Sequence, residues 1–396
     1  MANVLYVNGH AQGHINPTLS LVRELVKKGE DVYYTTTKEY KEIIENTGCK
    51  TIIIDEYEIF IKKFNPKFKH PFYYLIESIL EYNAFLIPLI LKKIEHIQID
   101  YVLHDSVLGG GNIISNKLKK PGICISTTFV LKNYTFIQKF LKKGSHPELE
   151  LLEKRIDEYE KDLNIGKVDI LDLFFEEEDL NIVFTSKEFH PPVEFSDKIF
   201  KFIGPSIGER KEMLNIPLDF FESENKTIYI SMGTINNDLP EFYNLCIETF
   251  KDSKTNIILS VGEKIDMKMF SQKIPNNFII KNYVSQLEIL KKVDGFISHG
   301  GFNSVSESIL NEVPLVVIPR LNDQFIIGKR VEELGVGILL KNEELNRDLL
   351  GTSVDKILKS KMYKDNCKKI KNSFNVAGGA EKGVEYITEF IKNLNS

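Results

Sequence analysis

The sequence predicts two Rossmann-like α/β domains facing each other across a cleft, and three observations carry that prediction. The chain has 396 residues, more than one ordinary core organises and enough for two domains of about 200 residues each. Short apolar runs alternate with amphipathic helical stretches, the pattern of a parallel sheet with crossover helices. That alternation halts at Gly204-Pro205 and then begins again, so the chain divides after Ser206. The expected domains are residues 1–206 and 207–379, with a terminal helix over 380–396.

Val4 to Asn8 is the first strand, followed by a glycine-containing loop, Asn8-Gly-His-Ala-Gln-Gly-His14. Asn16 is placed as a helix N-cap and Pro17 at the first helical position. Leu19, Leu21, Val22, Leu25 and Val26 then mark an apolar stripe as far as Lys28. Gly29 stops this helix, and Asp31 to Thr37 completes a βαβ unit. A helix near Lys38 to Asn46, a strand at Lys50 to Asp55, a long helical region between Pro71 and Ile97 and a strand at Tyr101 to Asp105 come next. After them follow a helix near Gly110 to Leu118 and strands at Gly122 to Thr127 and Asn181 to Ser186. Glu148 to Leu163 reads as a charged surface helix with little apolar face.

The second half carries strands at Thr227 to Met232, Asn256 to Val261, Phe278 to Asn282, Asp294 to Ser298, Leu315 to Ile318 and Val336 to Leu340, with helices between them. The most informative stretch lies here. The run to Ser298 ends in His299-Gly-Gly and enters a helix near Phe302. Gly300 and Gly301 permit close approach of a ligand to backbone, and the first helical turn presents N–H groups and a partial positive charge to the same place. Asn303 and Ser304 fall in that turn, and Glu307 follows on the same face. A phosphate at the turn leaves the Glu307 carboxylate about 5 Å further along, where a ribose diol would sit, so a nucleoside diphosphate is the expected ligand.

The ordered set Gln286, His299-Gly-Gly-Phe-Asn-Ser304, Glu307, Pro314 and Asp323-Gln324 resembles the donor signature of the family 1, UDP-sugar-dependent glycosyltransferases, and within them the bacterial branch that glycosylates macrolides and other small aglycones. The resemblance implies the GT-B fold, with an acceptor-binding first domain, a nucleotide-sugar-binding second domain and a last helix crossing back onto the first. It implies donor contacts from Tyr283, Val284, Gln286, His299, Gly301, Phe302, Asn303, Ser304, Glu307, Asp323 and Gln324. Tyr283 and Phe302 stand where many relatives have tryptophan. Gly233 and Thr234, in the turn after Ser231, add a second glycine loop at a strand end.

On the residues alone, His14 is either a solvent-facing or capping histidine or a base at a ligand-binding sheet edge. The run Gly-His-Ile-Asn-Pro17 resembles the family's catalytic loop, which implies His14 as general base, with Asp105 holding its far nitrogen. His10 is an improbable second base. His104 is expected in the core, because alternation along a strand aims it opposite to Asp105. Phe60, Phe72, Tyr82 and Phe85 are either plain core or walls of an apolar acceptor pocket.

The net charge of −5 gives no reason to expect nucleic acid. Cys49, Cys124, Cys246 and Cys367 are dispersed and read as reduced thiols of a cytoplasmic protein. The apolar stretch from Phe72 to Leu91 is interrupted by Glu77, Glu81, Asn83 and Pro88, so stable membrane insertion is not expected. No metal ligand spacing is found, and no cofactor is expected beyond the UDP-sugar as co-substrate. The expected reaction is inverting, metal-independent transfer of a hexose, glucose first, to a hydrophobic small molecule. The alternatives are a UDP-sugar 2-epimerase and a non-catalytic nucleotide-sugar-binding partner.

Overall fold

Parallel pairing of β-branched strands builds both halves of the chain. The computed structural model describes residues 2–394 apart from 109, 131–139, 143, 145, 174, 176, 209–213, 235–236, 271–273 and 322. By contacts the chain forms two units: residues 1–187, 192–208 and 377–396 make the first, and residues 188–191 with 209–376 make the second.

In the first unit the strands are β1 (Asn3–Val7), β2 (Asp31–Thr36), β3 (Lys50–Ile53), β4 (Tyr101–Asp105), β5 (Gly122–Ser126), β6 (Asn181–Val183) and β7 (Phe200–Phe202). They pair in parallel in the order β3-β2-β1-β4-β5-β6-β7. The order reverses between β1 and β4, where Val7 is level with His104. A crevice therefore opens at the carboxyl ends of these two strands, the usual ligand position in such sheets. The helices are α1 (Gln12–Ile15), α2 (Thr18–Lys27), α3 (Lys41–Glu45), α4 (Glu56–Lys63), α5 (Pro71–Lys93), α6 (Gly111–Leu118) and α7 (Glu148–Leu163).

Three local readings need correction. Asn16 is not an N-cap: residues 12–15 already form α1, Asn16 is itself α-helical, and its N–H bonds the carbonyl of Gln12. His14 consequently sits in a helical turn. The helix α7 is not a plain surface helix, because Leu149, Leu152, Ile156, Tyr159 and Leu163 are buried and α7 packs on α5. Its stripe is thin but continuous, with Arg155 bonded to Glu81 of α5 at 2.5 Å. The strand β7 was not foreseen; three residues carry too little alternation to register.

Helix α5 has the length and hydropathy of a membrane span. Half of its most apolar window is nonetheless buried within the unit, and Glu77 in its middle accepts the N–H groups of Lys67 and Phe68. That carboxylate fixes the chain before the helix and makes α5 a core element.

The second unit has strands β8 (Thr227–Ser231), β9 (Asn256–Ser260), β10 (Phe278–Lys281), β11 (Gly295–Ser298), β12 (Leu315–Val317) and β13 (Gly337–Leu339). They pair in parallel in the order β10-β9-β8-β11-β12-β13. Here the reversal falls between β8 and β11, with Ser231 level with Ser298. The helices are α8 (Pro240–Phe250), α9 (Gln286–Leu290), α10 (Phe302–Leu310), α11 (Gln324–Glu333), α12 (Arg347–Lys359) and α13 (Lys361–Val376). The last helix, α14 (Gly379–Leu394), belongs to the first unit and packs against α2.

Candidate active site

At the switch point of the first unit, the His14 Nδ1 lies 2.7 Å from Asp105 Oδ2. The other carboxylate oxygen, Oδ1, accepts the N–H groups of Val107 and Leu108, each at 2.9 Å. Burial alone would push the Asp105 carboxyl up. The charge and hydrogen bond of His14 and the two backbone donors outweigh it and hold the group below the usual carboxylate range. An ionised Asp105 keeps the proton on Nδ1, so the lone pair of His14 resides on Nε2.

Two residues in this arrangement were not singled out from sequence. The Thr127 hydroxyl lies 3.3 Å from the same Nδ1. The buried Asn8 amide donates to the His14 carbonyl at 3.0 Å and to the Tyr34 hydroxyl, while its Oδ1 accepts the N–H of Gly9. The turn carrying His14 is thus tied to the sheet through Asn8. A polar residue ending a buried strand was the available signal.

In the second unit the corresponding edge carries His299. Its ring is enclosed by two glycines: a Cβ at Gly233 would fall 2.8 Å from Cε1, and one at Gly301 would fall 2.5 Å from Nε2. Gly233 also has φ +87°, which excludes most other residues on its own. Burial pushes the His299 pKa down to about 4, with the Ser231 backbone pulling the other way, so the ring is neutral near pH 7. Its Nδ1 is buried without a hydrogen-bond partner among the described residues. Gly301 is the N-cap of α10 and brings no side chain to cap that helix end.

Around α10, the Gln286 amide donates to Glu307 at 2.7 Å and to the Ser304 hydroxyl at 3.1 Å, so these three residues form one cluster. Glu307 is buried. Asn303 lies on the same first turn, whereas the Phe302 ring is buried beside Phe189, 6.3 Å between centroids. Val284 is buried, and Tyr283 is 47% exposed with its carbonyl bonded by Asn215. Asp323 is the N-cap of α11 but makes no capping bond with its side chain. Gln324 Oε1 accepts the N–H groups of Arg320 and Leu321, which fixes the amide. Thr234 is exposed in the turn after β8.

The four acceptor-side aromatics do not form one group. Phe60 stacks on Phe85 at 5.1 Å and meets Tyr82 edge-on at 6.1 Å. Phe72 instead stacks on Phe140 at 4.7 Å. His104 is fully buried, with one ring nitrogen 3.0 Å from the Asp105 carbonyl and the other 3.1 Å from Glu178. All four cysteines are buried free thiols. Among the described residues, no group of three or more His, Cys, Asp or Glu side chains is placed to hold a metal ion.

Residues 246–380 match the family described as Erythromycin biosynthesis protein CIII-like, C-terminal domain. The chain is 35% identical to the Uncharacterized UDP-glucosyltransferase YojK of Bacillus subtilis, with 99% of this chain and 98% of that protein covered. It is 34% identical to the NDP-glycosyltransferase YjiC of the same organism, covering 98% and 97%. The solved glycosyltransferase of kitacinnamycin shares the fold, with a TM-score of 0.82 at 23% identity over 98% of each chain. The two parallel-sheet units are those of the GT-B fold. Full-length identity above the level at which families diverge, carried on that fold, makes this chain a member of the family 1 UDP-sugar-dependent glycosyltransferases.

Proposed function

We propose that this enzyme is an inverting, metal-independent hexosyltransferase that moves glucose from UDP-glucose to a hydroxyl of a hydrophobic small molecule such as a macrolide or flavonoid. The single observation that carries the reading is the 2.7 Å contact between His14 and Asp105, whose second oxygen is already held by backbone. In the proposed step His14 Nε2 takes the acceptor proton while the acceptor oxygen forms its bond to the anomeric carbon. The bond from that carbon to the β-phosphate oxygen breaks with its electron pair, UDP departs, and the configuration inverts. Asp105 stabilises the imidazolium; such general-base assistance contributes about 10²- to 10⁴-fold.

The donor half of the proposal uses the second unit. The diphosphate takes the N–H groups and dipole at the start of α10, with Asn303 and Ser304 beside it. His299, neutral before substrate arrives, donates a hydrogen bond to the leaving group from a water-poor setting. Glu307 receives the ribose hydroxyls, a role supported by its burial and its present bond to the Gln286 amide. Tyr283 offers an exposed face for uracil, and Asp323 with Gln324 reads the sugar hydroxyls. The similarity to the UDP-glucosyltransferase YojK supports UDP-glucose as donor.

The test is His14→Ala assayed with UDP-glucose and a phenolic acceptor. Transfer should fall by about 10²- to 10⁴-fold while calorimetric binding of UDP is unchanged; full turnover by the variant would remove His14 from the reaction. The anomeric configuration of the product reports inversion, and activity retained after chelation reports metal independence. A panel of UDP-, TDP- and GDP-sugars settles the donor.

A further inference from the structure

Apart from His299, whose Nδ1 is also unpartnered, one buried histidine among the described residues lacks the hydrogen bonds that the others make. His104 bonds the Asp105 carbonyl and Glu178, and His190 bonds the Pro191 carbonyl at 2.8 Å. His10 is 8% exposed, yet neither ring nitrogen has a partner among the described residues. Burial pushes its pKa down to about 4, so the ring holds one N–H donor and one lone pair, both unused. A buried polar group left unpaired is destabilising, and a native fold retains such a group where something else completes it.

The surroundings indicate what that is. Tyr57 and Tyr82 meet the His10 ring edge-on at 4.8 Å and 6.1 Å, and each other at 5.4 Å. Phe60 and Phe85 continue the aromatic wall behind Tyr82. The His10 segment adjoins the His14–Asp105 pair: a Cβ at Gly9 would fall 2.5 Å from Leu108 Cδ1, and the Leu108 N–H donates to Asp105 Oδ1 at 2.9 Å. His10 lies four residues before His14 in the same segment between β1 and α2. At the adjoining carboxyl end of β2, the hydroxyls of Thr36 and Thr37 are likewise buried without partners among the described residues. Aromatic faces suit a flat apolar ligand but offer it little polar recognition; the imidazole supplies that.

We propose that His10 recognises the acceptor by hydrogen bonding a second polar group on it, so that preferred acceptors are aromatic ring systems bearing a hydroxyl or carbonyl in addition to the hydroxyl that receives the sugar. This rests on the transferase reading and names the acceptor class of the same site. His10 takes no proton from the reacting hydroxyl; it selects and orients the molecule that carries it.

A matched pair of acceptors, 2-naphthol and 2,7-dihydroxynaphthalene, tests this with UDP-glucose as donor. The native enzyme should favour the diol by about 10-fold in kcat/KM. His10→Phe, which keeps a ring and removes both polar atoms, should abolish that preference through a loss confined to the diol, and His10→Gln should restore part of it. Equal losses on both naphthols, or no loss on either, would overturn the proposal and assign the imidazole to packing or a bound water. Calorimetric binding of the two naphthols without donor separates this from the reaction itself. No transfer to any member of a mixed aglycone panel would sink the transferase reading, whereas equal binding of both naphthols by the native protein overturns the role of His10 alone.

Discussion

His14 and His299 border the gap where strand order reverses in two similar sheets, on opposite sides of it: His14 lies in α1, after β1, and His299 directly follows β11. Their environments differ. Beside His14, the adjacent strand ends in a buried carboxylate that fixes the ring through Nδ1 and holds an ionised charge next to it. Beside His299, the adjacent strand leads into Gly233, and glycine on either side lets the ring be enclosed, with no charged group among the described residues shifting its pKa. A histidine with a carboxylate is equipped to gain a proton, and one kept neutral by burial is equipped to donate a hydrogen bond. Topology supplies the location, and one neighbouring residue decides the chemistry.

The largest expected effect comes from making the first histidine resemble the second. Asp105→Asn removes the charge that favours the imidazolium and should lower kcat by about 10²- to 10⁴-fold with UDP affinity unchanged, measured by steady-state kinetics and calorimetry. Gly301→Ala or Gly233→Ala disturbs the enclosure of His299 instead. Overpacking of about 1–3 kcal/mol should weaken UDP binding or stability while acceptor binding stays intact, read by titration with UDP and with acceptor separately.

The neutral histidines also set an acid limit. His10, His190 and His299 have pKa values lowered from 6.5 to about 4. Between those values the unfolded chain binds more protons than the folded one, so stability is present above about pH 6.5 and drains as pH falls toward about 4. A buried group shifted this far loses about 1 kcal/mol between about pH 6.5 and 5.5. Urea unfolding across that window should show the slope, and His10→Phe should flatten it. The smallest effect is expected from Thr127→Val, which removes the second contact to His14 Nδ1. A fall in kcat of about 2- to 5-fold, with a displaced pH-rate profile, would distinguish positioning from packing.

Strand placement was legible because a buried parallel strand is a short uniform apolar run, and every strand of the second unit contains such a run. The turn around His14 was less so. Asn16 has the chemistry of a cap, and only the backbone bonds from residues 14–16 back to Ala11 and Gln12 reveal a helix already under way. Phe60 and Phe72 look alike in sequence, but opposite ends of the intervening segment carry them to different neighbours. Residues 188–191 join the second unit through Arg330, which bonds the carbonyls of Glu188 and Phe189, and through the Phe189 ring against Phe302 and Phe374. A contact spanning that many residues leaves no local periodicity to read. Asn8 and Thr127 were passed over for the same reason, since their importance lies in what distant segments bring to them.

The helix α14 completes the first unit: Gly383 lies close enough to Leu21 and Ile203 that a Cβ would come within 3.0 Å of each, and Val384 and Ile387 join the core of that unit. Translation runs from the amino terminus, so the nascent chain emerges with the outer flank of α2 uncovered and stays so while residues 209–376 are being made. The first core therefore closes only when residues 379–394 arrive, and a chain truncated before Gly379 leaves the flank of α2 that α14 covers open to solvent.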